Sequence, residues 1–206
     1  MTTLQKAVFI DRDGVLNEMV YDETHGLIDS PRRPAQVRLV QGASEFIKGI
    51  KELGYLGIVV TNQPGIAKGT LSLEELRDVN QKLFYLLREA ISQWDDLAFC
   101  PHHPTGAIGG RQEFIRDCDC RKPKPGLLLG MAEKHNVELA SSWMIGDGLN
   151  DIQAGNAAGC RTILLTKLKL EQIERFFSCE GPMPDKIAAT LQEALKYIRD
   201  FTMAHL

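Results

Sequence analysis

Four short apolar runs constrain this chain more than anything else in it: Ala7-Val8-Phe9-Ile10, Leu56-Gly57-Ile58-Val59-Val60, Trp143-Met144-Ile145 and Thr162-Ile163-Leu164-Leu165. They are continuous rather than alternating, as expected of strands covered on both faces of a parallel sheet. Helical periodicity fills the intervals. Residues 44–53 place Phe46, Ile47, Ile50 and Leu53 on one face, and Gly54 follows as a stop signal. Ser72 and Glu75 make a capping box ahead of Leu76, Val79, Leu83, Leu87, Ile91 and Trp94, which recur at spacings of three and four. Further helices are predicted over 126–135, 151–158 and 191–201. This alternation predicts an α/β fold: a doubly wound, mostly parallel sheet flanked by helices.

A length of 206 residues, 44% of them apolar, suits one domain over 1–206 with a full-sized core. No insertion is large enough for a cap domain. The net charge of -3 offers no basic footprint for nucleic acid and no polybasic membrane patch. Neither a secretory signal nor a membrane-length apolar run is present. The expectation is a cytoplasmic monomer whose partner is a small molecule rather than nucleic acid or membrane. Two stretches resist the strand–helix scheme: 17–40, with Pro31 and Pro34, and 101–125, which carries Cys118 and Cys120 and directly follows Cys100. Loops that long are functional or disordered. Segment 171–184 reads only as surface, and Cys160 and Cys179 as small apolar residues.

The polar residues that end the strands are informative. The first run ends at Asp11, the second at Thr61-Asn62, the third at Gly146-Asp147. In an open parallel sheet, ligands bind beyond the carboxyl ends of the strands, so these groups converge. Converging carboxylates repel unless a cation neutralises them, and magnesium, a hard ion content with one or two carboxylates plus phosphate oxygens, suits that task. Taken singly, Asp11-Arg12-Asp13, Thr61-Asn62 and Gly146-Asp147-Gly148 also read as turn or cap chemistry, and Asp151 as a helix-dipole residue.

A second constellation is Cys100-x-His102 followed by Cys118-x-Cys120. Three thiolates and an imidazole suit tetrahedral zinc in a closed structural site, with a loop of about 100–122 around it. The same residues also read as buried thiols beside a surface histidine, and His103 competes with His102.

Together these motifs resemble the haloacid dehalogenase superfamily of phosphohydrolases. Asp11-Arg12-Asp13-Gly14-Val15-Leu16-Asn17 is similar to its first motif, Thr61-Asn62-Gln63 to its second, Lys122 in Arg121-Lys122-Pro123 to its third, and Gly146-Asp147 with Asp151 to its fourth. The resemblance implies a phosphatase in which Asp11 is the nucleophile, forming an aspartyl-phosphate, and Asp13 the acid–base. Magnesium is then held by Asp11, the Asp13 carbonyl and Asp147, while Thr61 and Lys122 contact the phosphoryl group, Lys124 being a rival for the Lys122 role. Cys-Pro-His-His-Pro with Cys-Asp-Cys-Arg-Lys-Pro further resembles the zinc-loop branch, which includes the heptose bisphosphate and histidinol phosphate phosphatases; the loop lengths favour the heptose side. A phosphorylated sugar is thus the implied substrate, with Asn17, Asn62 and Arg121 on its side of the site and Arg121 meeting a second phosphate. The chain departs from the heptose pattern after Asn17, where a longer segment carries Arg32 and Arg33. Two other classes compete: a non-catalytic zinc-stabilised interaction module, which gives no reason for acids at strand ends, and a phosphotransferase or mutase, which needs a large cap to exclude water.

Overall fold

The computed structural model describes residues 4–23, 26–89, 93–106, 109–181 and 183–205. In chain order the elements are β1 (Lys6–Ile10), β2 (Val20–Asp22), β3 (Leu27–Asp29), α1 (Ala43–Glu52), β4 (Tyr55–Asn62), α2 (Leu73–Glu89), β5 (Asp96–Cys100), α3 (Gly126–His135), β6 (Trp143–Gly146), α4 (Leu149–Ala158), β7 (Arg161–Leu165), α5 (Leu170–Glu180), β8 (Lys186–Ala188) and α6 (Leu191–Ala204). Six strands form one parallel sheet in the order β5-β4-β1-β6-β7-β8. All four sequence-predicted strands lie in it, with β1 near the middle.

The winding order places the site. From β1 the chain runs through α1 to β4 and through α2 to β5, then crosses by α3 to β6 on the other side of β1. Strand order therefore reverses at β1, and the crevice beyond its carboxyl end is where such a sheet binds ligands. Ile10 stands in register with Val59 on one side and Ile145 on the other, so Asp11, Thr61 and Asp147 follow neighbouring strands at similar height.

Each sheet face carries its own apolar layer. Val8, Ile10, Val59, Ile145 and Ile163 pack against Phe46, Ile47 and Ile50 of α1, Val79, Leu83 and Leu87 of α2, and Leu191, Ala194 and Ile198 of α6. Ala7, Phe9, Ile58, Val60 and Met144 face Leu127, Leu128 and Met131 of α3 and Ala154 and Ala158 of α4. Alternate residues of β1 thus enter opposite layers, which is why its sequence is apolar throughout. Side chains of this size contribute about 1.5–3 kcal/mol each on full burial. The helix starts are chemically explicit. Glu75 N–H donates to Ser72 Oγ (3.1 Å) while Ser72 N–H donates to the Glu75 carboxylate (2.7 Å).

Several elements depart from the sequence reading. The edge strand β5 begins at Asp96 and is only half-buried until Cys100, so it lacks the continuous apolar signature. β8 is three residues long, too short for a periodicity signal. Segment 171–184, expected as featureless surface, instead supplies α5, which buries Ile173 against Ile152 and Leu164. Helix α2 ends before Trp94, whose ring meets Phe84 edge-on at 5.3 Å from outside the helix. Ile91 and the Cys179 side chain lie outside the described residues, whereas Cys160 is buried as expected. The 17–40 stretch contains the antiparallel β2–β3 hairpin and is closed at its base by Glu18 N–H to Arg38 C=O (2.9 Å) and Val40 N–H to Leu16 C=O (3.0 Å). No large cap covers the sheet among the described residues.

Candidate active site

Asp11 leaves β1 at the switch point with its carboxylate partly buried. Lys122 reaches it from the loop before α3, its Nζ donating to Asp11 Oδ1 at 2.8 Å and to the Val60 carbonyl at 2.8 Å. The same ammonium lies 2.6 Å from Asp151 Oδ1, at the start of α4. Lys122 is 2% exposed, so this is a buried ion triad. Burial works against its charge, but Asp11 and then Asp151 outweigh that and hold it above the usual lysine range. Asn62 fixes the loop that delivers it: Asn62 Nδ2 donates to the Lys122 carbonyl (2.9 Å), and Lys122 N–H donates to Asn62 Oδ1 (3.1 Å).

The acids form a tight group. Asp11, Asp147 and Asp151 each offer an oxygen, and these oxygens lie within 4.8 Å of one another. Such proximity requires glycine nearby. Gly14 has φ +80°, and a Cβ there would fall 2.0 Å from Asp147 Oδ2; one on Gly146 would fall 2.1 Å from Asp151 Cβ. The close approach of these loops is therefore closed to larger residues. Burial pushes Asp11 up to about 7 against the pull of Lys122, with Asp151 and Asp13 adding to the rise. Burial and then Asp151 push Asp147 up to about 6.

Asp13 occupies a different setting. The Arg12 Nε and Nη2 atoms donate to its carboxylate at 2.9–3.1 Å, Asn17 Nδ2 donates to Oδ1 at 3.0 Å, and Gln63 Nε2 donates to Oδ2 at 2.8 Å. Burial opposes ionisation here, but Arg12, Asn17 and Gln63 outweigh it and hold Asp13 below the usual carboxylate range. Arg12 is itself fully buried and anchored through Nη1 to Asn80 Oδ1 of α2 at 2.7 Å. Four carboxylates (Asp11, Asp13, Asp147, Asp151) thus meet two cations (Arg12, Lys122), leaving two negative charges over. That surplus, on hard oxygen donors, fits a divalent cation of the magnesium type.

Thr61 is 1% exposed, and its hydroxyl accepts from Gln63 Nε2 at 2.9 Å. The second constellation stands beside it, because Asn62 of β4 is in register with Cys100 of β5. Cys100 Sγ lies 3.5 Å from Cys118 Sγ and 3.2 Å from Cys120 Sγ, and the latter two lie 3.3 Å apart. His102 Nδ1 completes the set, 3.6 Å from Cys100 and 3.3 Å from Cys120. Tetrahedral zinc with bonds of about 2.0–2.3 Å spaces its ligands by about 3.5–3.8 Å, close to these edges. Burial and Arg116 hold His102 below the usual histidine range, keeping the neutral imidazole that metal binding needs. The four groups fit a closed zinc site. His103 faces Thr105 instead, outside the cluster.

The structure brings Asp11, Asp13, Asn17, Thr61, Asn62, Lys122 and Asp147 to one crevice and Cys100, His102, Cys118 and Cys120 to a neighbouring one. Lys124 is half exposed and pairs loosely with Asp119 at 3.7 Å, away from the acids. Arg121 donates from Nη1 to the His102 carbonyl at 3.3 Å, so it is braced on the cysteine loop. Arg32 is occupied by Asp29 at 2.5 Å within its own segment. Sequence reasoning did not assign site roles to Asp151, Arg12, Gln63 and Asn80. Asp151 stood in the fourth motif and Gln63 in the second, so both were visible. Arg12 and Asn80 were not, since their contact joins residues 68 positions apart.

A carboxylate at a strand end, a buried lysine against it and a surplus of negative charge together suit displacement at phosphorus with a divalent ion. Comparisons with known proteins agree. The D-glycero-beta-D-manno-heptose-1,7-bisphosphate 7-phosphatase of Pasteurella multocida is 35% identical over 164 residues, 80% of this chain and 83% of the relative. That of Vibrio cholerae is 36% identical over 161 residues, 78% of this chain and 81% of the relative. The chain belongs to the haloacid dehalogenase-like phosphatase family. The HAD-hydrolase-like family model matches residues 119–194, which carry the third and fourth motifs. Among solved structures, the D,D-heptose 1,7-bisphosphate phosphatase of B. bronchiseptica complexed with magnesium and phosphate superposes with a TM-score of 0.74 at 25% identity, covering 96% of this chain and 99% of that one. As a member of this family the chain is a phosphoric monoester hydrolase. No helix among the described residues is long and apolar enough to cross a membrane.

Proposed function

We propose that this phosphatase removes the 7-phosphate of D-glycero-β-D-manno-heptose 1,7-bisphosphate. The observation that carries the chemistry is the buried Lys122 ammonium between Asp11 and Asp151, at 2.8 and 2.6 Å, beside a third carboxylate. The substrate rests on the names of relatives that match four-fifths of the chain. The anomer follows the same names.

Asp11 attacks phosphorus through a carboxylate oxygen, the bond from phosphorus to the sugar oxygen breaks, and an aspartyl-phosphate remains. Asp13 protonates the leaving alkoxide and then takes a proton from the water that cleaves the intermediate. The proton balance closes over the cycle: the proton that Asp13 takes from water in the second displacement is the one it gives to the leaving alkoxide in the next first displacement. Lys122 and the Thr61 hydroxyl stabilise charge on the phosphoryl oxygens. Magnesium would be held by Asp11, Asp147 and the Asp13 carbonyl, and supplies positive charge to the phosphoryl oxygens. Zinc at Cys100, His102, Cys118 and Cys120 is structural in this reading. Four protein ligands leave no open position, and the clamp brings Arg121 and Lys122 out of the loop in a defined direction. Arg121 meets the distal phosphate, for which its planar fork is suited, with Asn17 and Asn62 lining the same side.

We further read the chain as one domain acting as a cytoplasmic monomer on a small soluble sugar phosphate, since three uncrosslinked thiols at its structural centre suit a reducing compartment. The test is phosphate release, with and without magnesium, from both anomers of heptose 1,7-bisphosphate, fructose 1,6-bisphosphate and histidinol phosphate. The expected result is magnesium-dependent release that is fastest by at least about tenfold in kcat/KM with the β-heptose, a margin of about 1.4 kcal/mol. Faster turnover of histidinol phosphate or fructose 1,6-bisphosphate would overturn the substrate.

A further inference from the structure

We propose that Gln63 is a positioning residue for Asp13: it fixes Oδ2 as the oxygen that exchanges protons and holds it toward the phosphoryl pocket. The inference rests on the reading of Asp13 as acid–base.

Gln63 is 2% exposed and its carboxamide spans two catalytic groups. Nε2 donates one hydrogen to Thr61 Oγ1 at 2.9 Å and the other to Asp13 Oδ2 at 2.8 Å. An amide group has two N–H donors, so both are used, and both partners are acceptors here. The backbone is fixed as well, with Gln63 N–H donating to the Cys100 carbonyl at 2.8 Å. The residue thus links the phosphoryl-binding hydroxyl, the acid–base and the backbone of the first cysteine of the loop.

The other two residues that hold Asp13 differ in kind. Arg12 and Asn17 belong to Asp13's own loop, and each has a second anchor, Asn80 for Arg12 and the Glu18 carbonyl for Asn17 (3.0 Å). Neither of them donates to Thr61. Gln63 approaches from the end of β4 and joins the carboxylate directly to Thr61, so it sets the direction of Oδ2 relative to that hydroxyl. A carboxylate offers about four lone-pair sites, and the donors of Arg12, Asn17 and Gln63 fill them. Oδ2 also accepts from Arg12 Nη2 at 2.9 Å, so it can release that donor to trade a proton while Gln63 keeps its direction. In the second displacement, water oxygen bonds to phosphorus, its proton passes to Asp13 Oδ2, and the bond from phosphorus to the Asp11 oxygen breaks. Inorganic phosphate and the free Asp11 carboxylate result.

A stopped-flow experiment with p-nitrophenyl phosphate and the magnesium-loaded protein tests this. Its leaving group needs no acid, so Asp13 matters only after Asp11 is phosphorylated. For Gln63→Met the expectation is a kcat about 10–100-fold lower, a smaller loss in kcat/KM, and a burst approaching one nitrophenolate per enzyme. Gln63→Glu, which keeps the shape but repels Asp13, should show the same burst and serves if the first variant does not fold. A variant that only loosened the fold would lose kcat and kcat/KM together, without a burst, and that result overturns the proposal. Asp13→Asn is run alongside. A burst there but in neither Gln63 variant sinks the Gln63 assignment alone; no burst there removes the acid–base reading and this inference with it.

Discussion

Two clusters of four side chains stand side by side at the carboxyl edge of the sheet, and they solve opposite problems. The acids (Asp11, Asp13, Asp147, Asp151) carry more negative charge than Arg12 and Lys122 cancel, and Asp11 and Asp147 are pushed up to about 7 and about 6. The cluster of Cys100, His102, Cys118 and Cys120 is closed, with edges of 3.2–3.6 Å that a tetrahedral ion fills. The acids are partly braced by protein cations and stay open to a substrate. The thiols gather an otherwise irregular loop, so a metal bound there would act on structure. One site is built to bind what passes through, the other to keep the first in shape.

Removing the nucleophile should separate them most sharply. Asp11→Asn is expected to lower phosphate release by at least about 10⁴-fold with the far-ultraviolet circular dichroism unchanged; release above a hundredth of the parent rate would contradict the nucleophile assignment. Lys122→Met comes next, with kcat/KM down about 10²–10³-fold. Because it strands Asp11 and Asp151, it should also cost about 3–5 kcal/mol, read as a lower denaturant midpoint. Cys118→Ala, or chelation, should reduce kcat about 10–100-fold and lower Tm by about 10 °C. A zinc-free protein with unchanged kinetics would dissolve the division of labour between the clusters.

The acid cluster should respond to pH between about 5 and 8. Asp11 and Asp147 both sit above their ordinary 3.8 in the folded chain. The metal-free fold therefore keeps protons that the unfolded chain has released, and its stability falls as pH rises from about 4 through 7. Magnesium competes with those protons, so its affinity should weaken by about tenfold per pH unit below 7 for each proton taken up. Calorimetric titrations at pH 5.5 and 8 that gave equal affinities would show that these carboxylates do not hold the ion. The smallest effect belongs to Lys124→Ala, which breaks only an exposed pair worth about 0–1 kcal/mol and should leave kcat/KM within about twofold.

The acid site was legible in the sequence because its parts sit at the ends of the most apolar strands, and both clusters matched a family pattern. Asp11, Thr61 and Asp147 needed only the rule that parallel strands deliver their carboxyl ends to one crevice. The cysteine cluster was legible as a spacing, but its place beside Asn62 was not, since it depends on β5, whose half-buried residues carry no strong period. Likewise α5 was missed because, among its described side chains, only Ile173 is deeply buried, and such a helix reads as surface.

What the sequence determined by itself is local: which segments form covered strands, where helices start, and which acids and thiols terminate them. Apolar period and capping chemistry act between near neighbours, so they can be read along the chain. The tertiary structure decided the pairings: Lys122 between Asp11 and Asp151, His102 rather than His103 among the thiols, and Arg12 on Asn80. It also joined Gln63 to both Thr61 and Asp13. Those choices depend on which charges and hydrogen-bond donors are buried together, and burial is set by the packing of segments far apart in sequence.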